Sequence, residues 1–122
     1  MAAPNILSAT SIYGKQVGAA LDTTTTTSLL ANAGSSDKLL KINSIIVSNV
    51  DGSSAAELTL SWYDGSTDYN LASTVSIPAD STLVVLGKDS PIYLEEGHSI
   101  RGGAGSNSDL EILICYDELD DA

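Results

Sequence analysis

The stretch Ser61–Leu71 reads SWYDGSTDYNL and gathers the chain's only tryptophan, two of its five tyrosines and two aspartates. Those residues suit a ligand site, with rings for stacking and carboxylates for a cation, but they also suit a strand, a tight turn and a second strand. Side-chain parity on either side favours the second reading. From Glu57 to Tyr63, Leu58, Leu60 and Trp62 share one parity while Glu57, Thr59, Ser61 and Tyr63 share the other, the period of two of a half-buried strand. Trp62 then points at the core. From Tyr69 to Ile77 the apolar residues Tyr69, Leu71, Val75 and Ile77 alternate with Asn70, Ala72, Thr74 and Ser76, which predicts a second strand with a clean inner face. Asp64-Gly65 between them supplies the positive-φ tolerance of a hairpin turn. As a calcium loop the same stretch offers Asp64 and Asp68, two carboxylates where the ion takes about six to eight oxygens.

Working outward, the same signals recur. Strands are predicted at Lys38–Val50, Ser81–Lys88, Pro91–Leu94, His98–Arg101 and Leu110–Asp117, divided by VDGSSA, IPADS, KDSP, EEG and GGAGSNS, where Gly, Pro, Asp or Ser lets the chain turn. The last of them sets Leu110, Ile112, Ile114 and Tyr116 on one face and Leu113 and Cys115 on the other, so its middle is expected to be covered on both sides, by a second layer or by a neighbouring subunit. SLLANAG, Ser28–Gly34, is the one plausible helical turn, and Thr23–Thr27 favour extended backbone or loop. The expected fold is all-β, an antiparallel β-sandwich, jelly-roll-like or Ig-like, of about eight strands in one domain over residues 1–122. Residues 1–17 read as an extended arm or edge strand with scattered Ile6, Leu7, Ile12, Tyr13 and Val17, and residues 117–122, DELDDA, read as a solvated acidic tail.

Charge and composition exclude more than they assign. Sixteen acids against four lysines and one arginine give a net charge of −11, which opposes nucleic acid and anionic lipid. The longest purely aliphatic pieces, Ile45–Val47 and Leu83–Leu86, fall far short of the ~20 residues of a membrane-spanning helix. One cysteine, and an opening MAAPN with no secretory pattern, suit a reducing cytoplasm. Lone His98 reads as a surface or interface side chain and Cys115 as a small core residue. Glu95-Glu96 and Asp120-Asp121 point to opposite faces of extended backbone, so neither pair can flank one bond. GGAGS at 102–106 lacks the lysine, the threonine and the strand-to-helix context of a phosphate loop and reads as a flexible turn. No catalytic, cofactor-binding or metal-ligating residue is expected, the chain is not expected to be an enzyme, and a small-molecule ligand is not expected.

Three segments carry a resemblance: APNILSATSIYGK, LLKINSIIVSNVDGSSAAELTLSWYDGSTDYNL and IPADSTLVVLGKDSPIYLEEGHSIR. Together they resemble small virion proteins of tailed bacteriophages, particularly those infecting cyanobacteria and other aquatic bacteria. The resemblance lies in the order of arm, strand end, hairpin and turns across most of the chain, and no catalytic signature takes part. It implies a capsid cement or decoration protein, a compact β-sandwich that forms a homotrimer and bridges copies of the major capsid protein on the virion exterior after assembly in the host cytoplasm. It equally admits a tail, neck or fibre-base component. A carbohydrate-binding module for host attachment is the reading of a different class, and it requires exposed Trp or Tyr platforms. The arm residues Ile6, Leu7, Ile12 and Tyr13 are the candidate partner interface, because apolar side chains on an unsupported arm offset their ordering entropy only by docking.

Overall fold

In a computed structural model, the structure describes residue 7 and residues 9–120, so Ile6 and residues 121 and 122 lie outside the described residues. Among the described residues nine strands form two antiparallel sheets. In chain order they are β1 Ser11–Ala20, β2 Ser28–Ala31, β3 Lys38–Asn49, β4 Ala56–Tyr63, β5 Asp68–Ile77, β6 Thr82–Leu86, β7 Ile92–Leu94, β8 Ser99–Ala104 and β9 Leu110–Asp120. One sheet runs β1-β9-β3-β6, with β7 also paired to β3, and the other runs β2-β8-β4-β5. This is the expected β-sandwich. Between the sheets lies one core. Ile42, Ile45, Val47, Leu94, Ile112 and Ile114 from the first sheet meet Leu58, Leu60, Ile77 and Ile100 from the second, and all are buried. Each such side chain contributes about 1.5–3 kcal/mol of burial free energy.

The parity that predicts β4 and β9 holds for Leu58 and Leu60 and for Leu110, Ile112 and Ile114, although Ser61 and Leu119, of the opposite parity, are buried as well. Elsewhere bulges reset it. In β3 the pairing to β9 shifts between Ile42 and Ser44, so even-numbered Leu40 and Ile42 and odd-numbered Ile45 and Val47 all face inward. In β5 the expected clean inner face is not found. The pairing to β4 shifts twice around Leu60, and Thr74 takes φ 48°, so Ala72 and Ile77 are buried while Tyr69 and Val75 are exposed.

Three further readings are corrected. SLLANAG does not form a helical turn: Ser28–Ala31 is strand β2, held by pairing to β8, with Leu29 and Leu30 packed on the core. Gly102 and Gly103 do not form a flexible turn but sit within β8. A Cβ on Gly103 would lie 2.5 Å from the Thr24 carbonyl oxygen and 2.9 Å from that of Asp22, so glycine lets the Thr23–Thr27 loop lie against the strand. That loop is fixed there by Gly102 N donating to Thr27 O at 3.0 Å and Ala104 N donating to Asp22 O at 2.8 Å. The residues read as an acidic tail are strand through Asp120, and Glu118 accepts ion pairs from Lys15 at 3.1 Å and Lys38 at 3.6 Å.

Candidate interaction surfaces

The opening question about SWYDGSTDYNL has a local answer. Asp64 Oδ1 accepts from the backbone amides of Thr67 at 2.7 Å and Ser66 at 2.9 Å and from the Ser66 hydroxyl at 3.1 Å, while Gly65 takes φ 98°. Those amides, Thr67 first, hold the Asp64 carboxyl below the usual carboxylate range. Asp68 is engaged elsewhere: it accepts from Arg101 at 2.7 Å and from the Ser61 hydroxyl at 3.0 Å, and Arg101 lies 3.9 Å over the Tyr63 ring. Thus the two aspartates serve the turn and the β4-β5-β8 sheet. No group of three or more His, Cys, Asp or Glu side chains able to hold a metal forms among the described residues.

Of the candidate interface residues, Ile12 and Tyr13 lie on the edge strand β1, Leu7 precedes it, and Ile6 lies outside the described residues. β1 pairs with β9 along its whole length, Ser11 opposite Asp120 and Ala20 opposite Glu111, and its other side is the edge of the first sheet, with no strand paired to it among the described residues. Ile12 is 61% exposed, Tyr13 51% and Leu7 93%. Ile12 and Tyr13 are adjacent on a strand and point to opposite faces, so the edge is apolar on both. Lys15, further along β1, has its pKa raised by its hydrogen bond to Glu118 and by that carboxylate's charge.

On the sheet's outer face, Gly18, Leu113, Ile46 and Val84 form a row across β1, β9, β3 and β6. Leu113 and Val84 are exposed, and the small residues Gly18 and Ala20 leave a shallow groove of about 430 Å³ beside Leu113 and Ile46. Cys115 shares this outer face, opposite Gln16 and Ser44, and is half-buried, which corrects the reading of it as a core residue. β9 is therefore covered on its inner face by the second sheet and left partly open on its outer one.

A second surface was not legible in the sequence. Trp62 and Tyr69, opposite one another on β4 and β5, meet Ile92 and Tyr93 of β7 and, with Asn70 and Leu71, line a cleft of about 340 Å³ at the open side of the sandwich. Trp62 is half-buried rather than enclosed. Its Nε1 donates to the Tyr93 carbonyl at 3.1 Å, tying the two sheets together, and its ring lies 4.9 Å from that of His98, edge to face, and 5.8 Å from that of Tyr69. His98, read as a surface side chain, is thus a neighbour of the indole, and its Nδ1 accepts the Glu95 amide at 3.2 Å.

No family model matches this sequence, and no curated protein sequence matches it. Among solved structures, two of a pentameric capsid protein isolated from metagenomic phage sequences match 86% of this chain, each at 15% identity and a TM-score of 0.36. The chain spans 64% and 60% of their length. A chain in the capsid of Ralstonia phage GP4 matches 98% of this one over 91% of its own, at 11% identity and a TM-score of 0.38. Likeness at this level leaves the role to be argued from the chain's own residues.

The residues that sequence reasoning missed are Tyr93 and Ile92, which reach the tryptophan from a different sheet. Their strand is three residues long, and its only distinctive signal is a tyrosine between two aliphatic side chains.

Proposed function

We propose that this chain is a structural virion protein that decorates and cements the exterior of a tailed-phage capsid, a homotrimer bridging major capsid protein subunits. It is not an enzyme in this reading. The observation that carries it is the open β1 edge with exposed Ile12 and Tyr13, continuous with the uncharged outer row of Gly18, Leu113, Ile46 and Val84. A long edge strand next to exposed apolar side chains is a place for another polypeptide to add. The rest of the molecule supports an exterior position. A net charge of −11 suits contact with protein outside a shell and opposes contact with packaged DNA inside it. The resemblance of the three sequence segments to small phage virion proteins points the same way.

The test is attachment to purified virions. Leu113→Asp combined with Val84→Asp places two charges on exposed positions, so the sandwich should fold as before. Occupancy is expected to fall at least tenfold, and unchanged occupancy would remove the proposal. Copy number per particle distinguishes the shell from other addresses: decoration requires copies on the scale of the shell's own subunits, whereas a tail, neck or fibre-base part is present in far fewer.

A further inference from the structure

The Trp62 cleft is built from rings that the fold has already fixed. Trp62 Nε1 donates to the Tyr93 carbonyl at 3.1 Å and the indole meets His98 edge to face at 4.9 Å, so the ring is held from two directions. Tyr69 leans towards it, with centroids 5.8 Å apart and planes at 41°, an angled pair rather than a flat stack. Tyr69 is 55% exposed and Tyr93 40%, so aromatic surface stands at the rim of the cleft. Beside the rings the lining carries the Asn70 amide and two phenol hydroxyls, each able to donate and to accept. None of the lining residues is charged, in a chain whose net charge is −11.

We propose that this cleft binds a neutral saccharide. A pyranose ring is amphipathic: its axial C–H bonds make an apolar face and its hydroxyls a polar edge. Angled aromatic rings suit the face, through the dispersion and quadrupole attraction that also joins aromatic pairs, and an uncharged rim of hydroxyl and amide groups suits the edge. Charge selects among sugars. The field of an acidic chain opposes a uronate or a sialylated glycan, and no cation in the lining offsets that repulsion, whereas a neutral sugar is indifferent to it. A cationic peptide would be drawn to carboxylates, which the cleft lacks. A proline-rich peptide is served less well, because its carbonyls have no internal partners and the indole N–H is already engaged by Tyr93. At about 340 Å³ the cleft is at the small end of ligand sites, with room for a short stretch of saccharide. Because the indole is held beforehand, binding orders little that was free. β7 pairs with Leu40–Ile42 of β3, whereas the apolar outer row crosses β3 at Ile46, so a saccharide here and a partner on that row occupy different ground. The site stands or falls separately from the capsid reading.

Trp62 is the only tryptophan, so its emission reports the cleft directly. The full chain is titrated with neutral hexasaccharides of glucose, mannose and N-acetylglucosamine, with hexagalacturonate as the anionic counterpart and a proline-rich decapeptide as a rival occupant. The expected result is a saturable emission change with at least one neutral hexasaccharide, half complete by about 1 mM, and none with hexagalacturonate. Tyr69→Ala should weaken that binding roughly tenfold, followed by calorimetry so that the altered ring pair does not disturb the readout. Its side chain is exposed, so the sandwich persists, which far-UV circular dichroism verifies. Tyr93→Ala repeats the test with the indole still held, because the bond to Trp62 uses the Tyr93 backbone carbonyl. Silence from every neutral hexasaccharide, equal binding of hexagalacturonate, an affinity unchanged in both variants, or a response to the peptide alone would each overturn the proposal.

Discussion

Two asparagines are buried at opposite ends of β3, and each ties loops to the sheets. Asn49 donates to the Ile77 carbonyl at 2.9 Å and the Ser54 carbonyl at 3.0 Å and accepts the Asp51 amide at 2.9 Å, so one side chain joins the end of β3 to β5 in the facing sheet. Asn32 does the same work near the start of β3, donating to the carbonyls of Lys38 at 2.8 Å and Leu94 at 2.9 Å. Leaving buried acceptors without donors costs more than a hydrogen bond contributes net. Asn49→Ala should therefore lower unfolding stability by about 2 kcal/mol, read from urea midpoints. The hairpin aspartate is testable by pH. The folded pKa of Asp64 is depressed, so its stabilisation is fully present above the unfolded carboxyl value, about 3.9, and disappears as pH falls through the lower folded value. The difference in melting temperature between the parent chain and Asp64→Ala should be constant above about pH 5 and close towards pH 2.

Strand β8 depends on a neighbour that has no regular structure of its own. The Thr23–Thr27 loop lies over Gly103 and leaves no room for a Cβ there, whereas at Gly102 the Thr59 carbonyl and Leu60 of β4 take that space. Gly103→Ala should cost about 2–3 kcal/mol and should speed amide exchange at Ala104, whose N–H donates to Asp22 across that contact. Gly102–Ala104, read as part of a flexible turn, are strand with the loop packed on them, a cause outside that stretch itself. β2 escaped notice for the same reason: its four residues carry too little periodicity to resemble a strand, and pairing to β8 defines it. The β4-turn-β5 hairpin, β3 and β9 were legible because two-residue alternation or dense aliphatic content persists over eight residues or more. What alternation cannot supply is the position of bulges. Asn43 in β3 and Thr74 in β5 each change which parity faces inward, so exposed Tyr69 and Val75 were assigned to the core. On the surfaces, Ile12 and Tyr13 were visible as apolar residues without local support, whereas the Trp62 cleft joins side chains from two sheets that no local pattern connects.

The whole molecule carries more like charge than a sandwich of this size needs for solubility. Carboxylates brought together by folding repel one another, and the repulsion is screened over roughly 10 Å at 0.1 M salt. Thermal stability should accordingly rise as sodium chloride is increased from about 10 mM to 0.15 M, across a range in which the Debye length falls from roughly 30 to 8 Å. A melting temperature that fell over this range would mean that ion pairs such as Lys15–Glu118 outweigh the general repulsion. The position of β9 has a further effect, on the order in which the chain can acquire structure. It lies between β1 and β3, and β1 has no other strand partner among the described residues. During synthesis on the ribosome, β1 must wait from Ala20 until Leu110 and its successors emerge before it can pair with β9, and the halves of its sheet stay unjoined until then. A nascent chain arrested before Leu110 should remain open to protease throughout, so completion of this fold is an event that follows translation of β9.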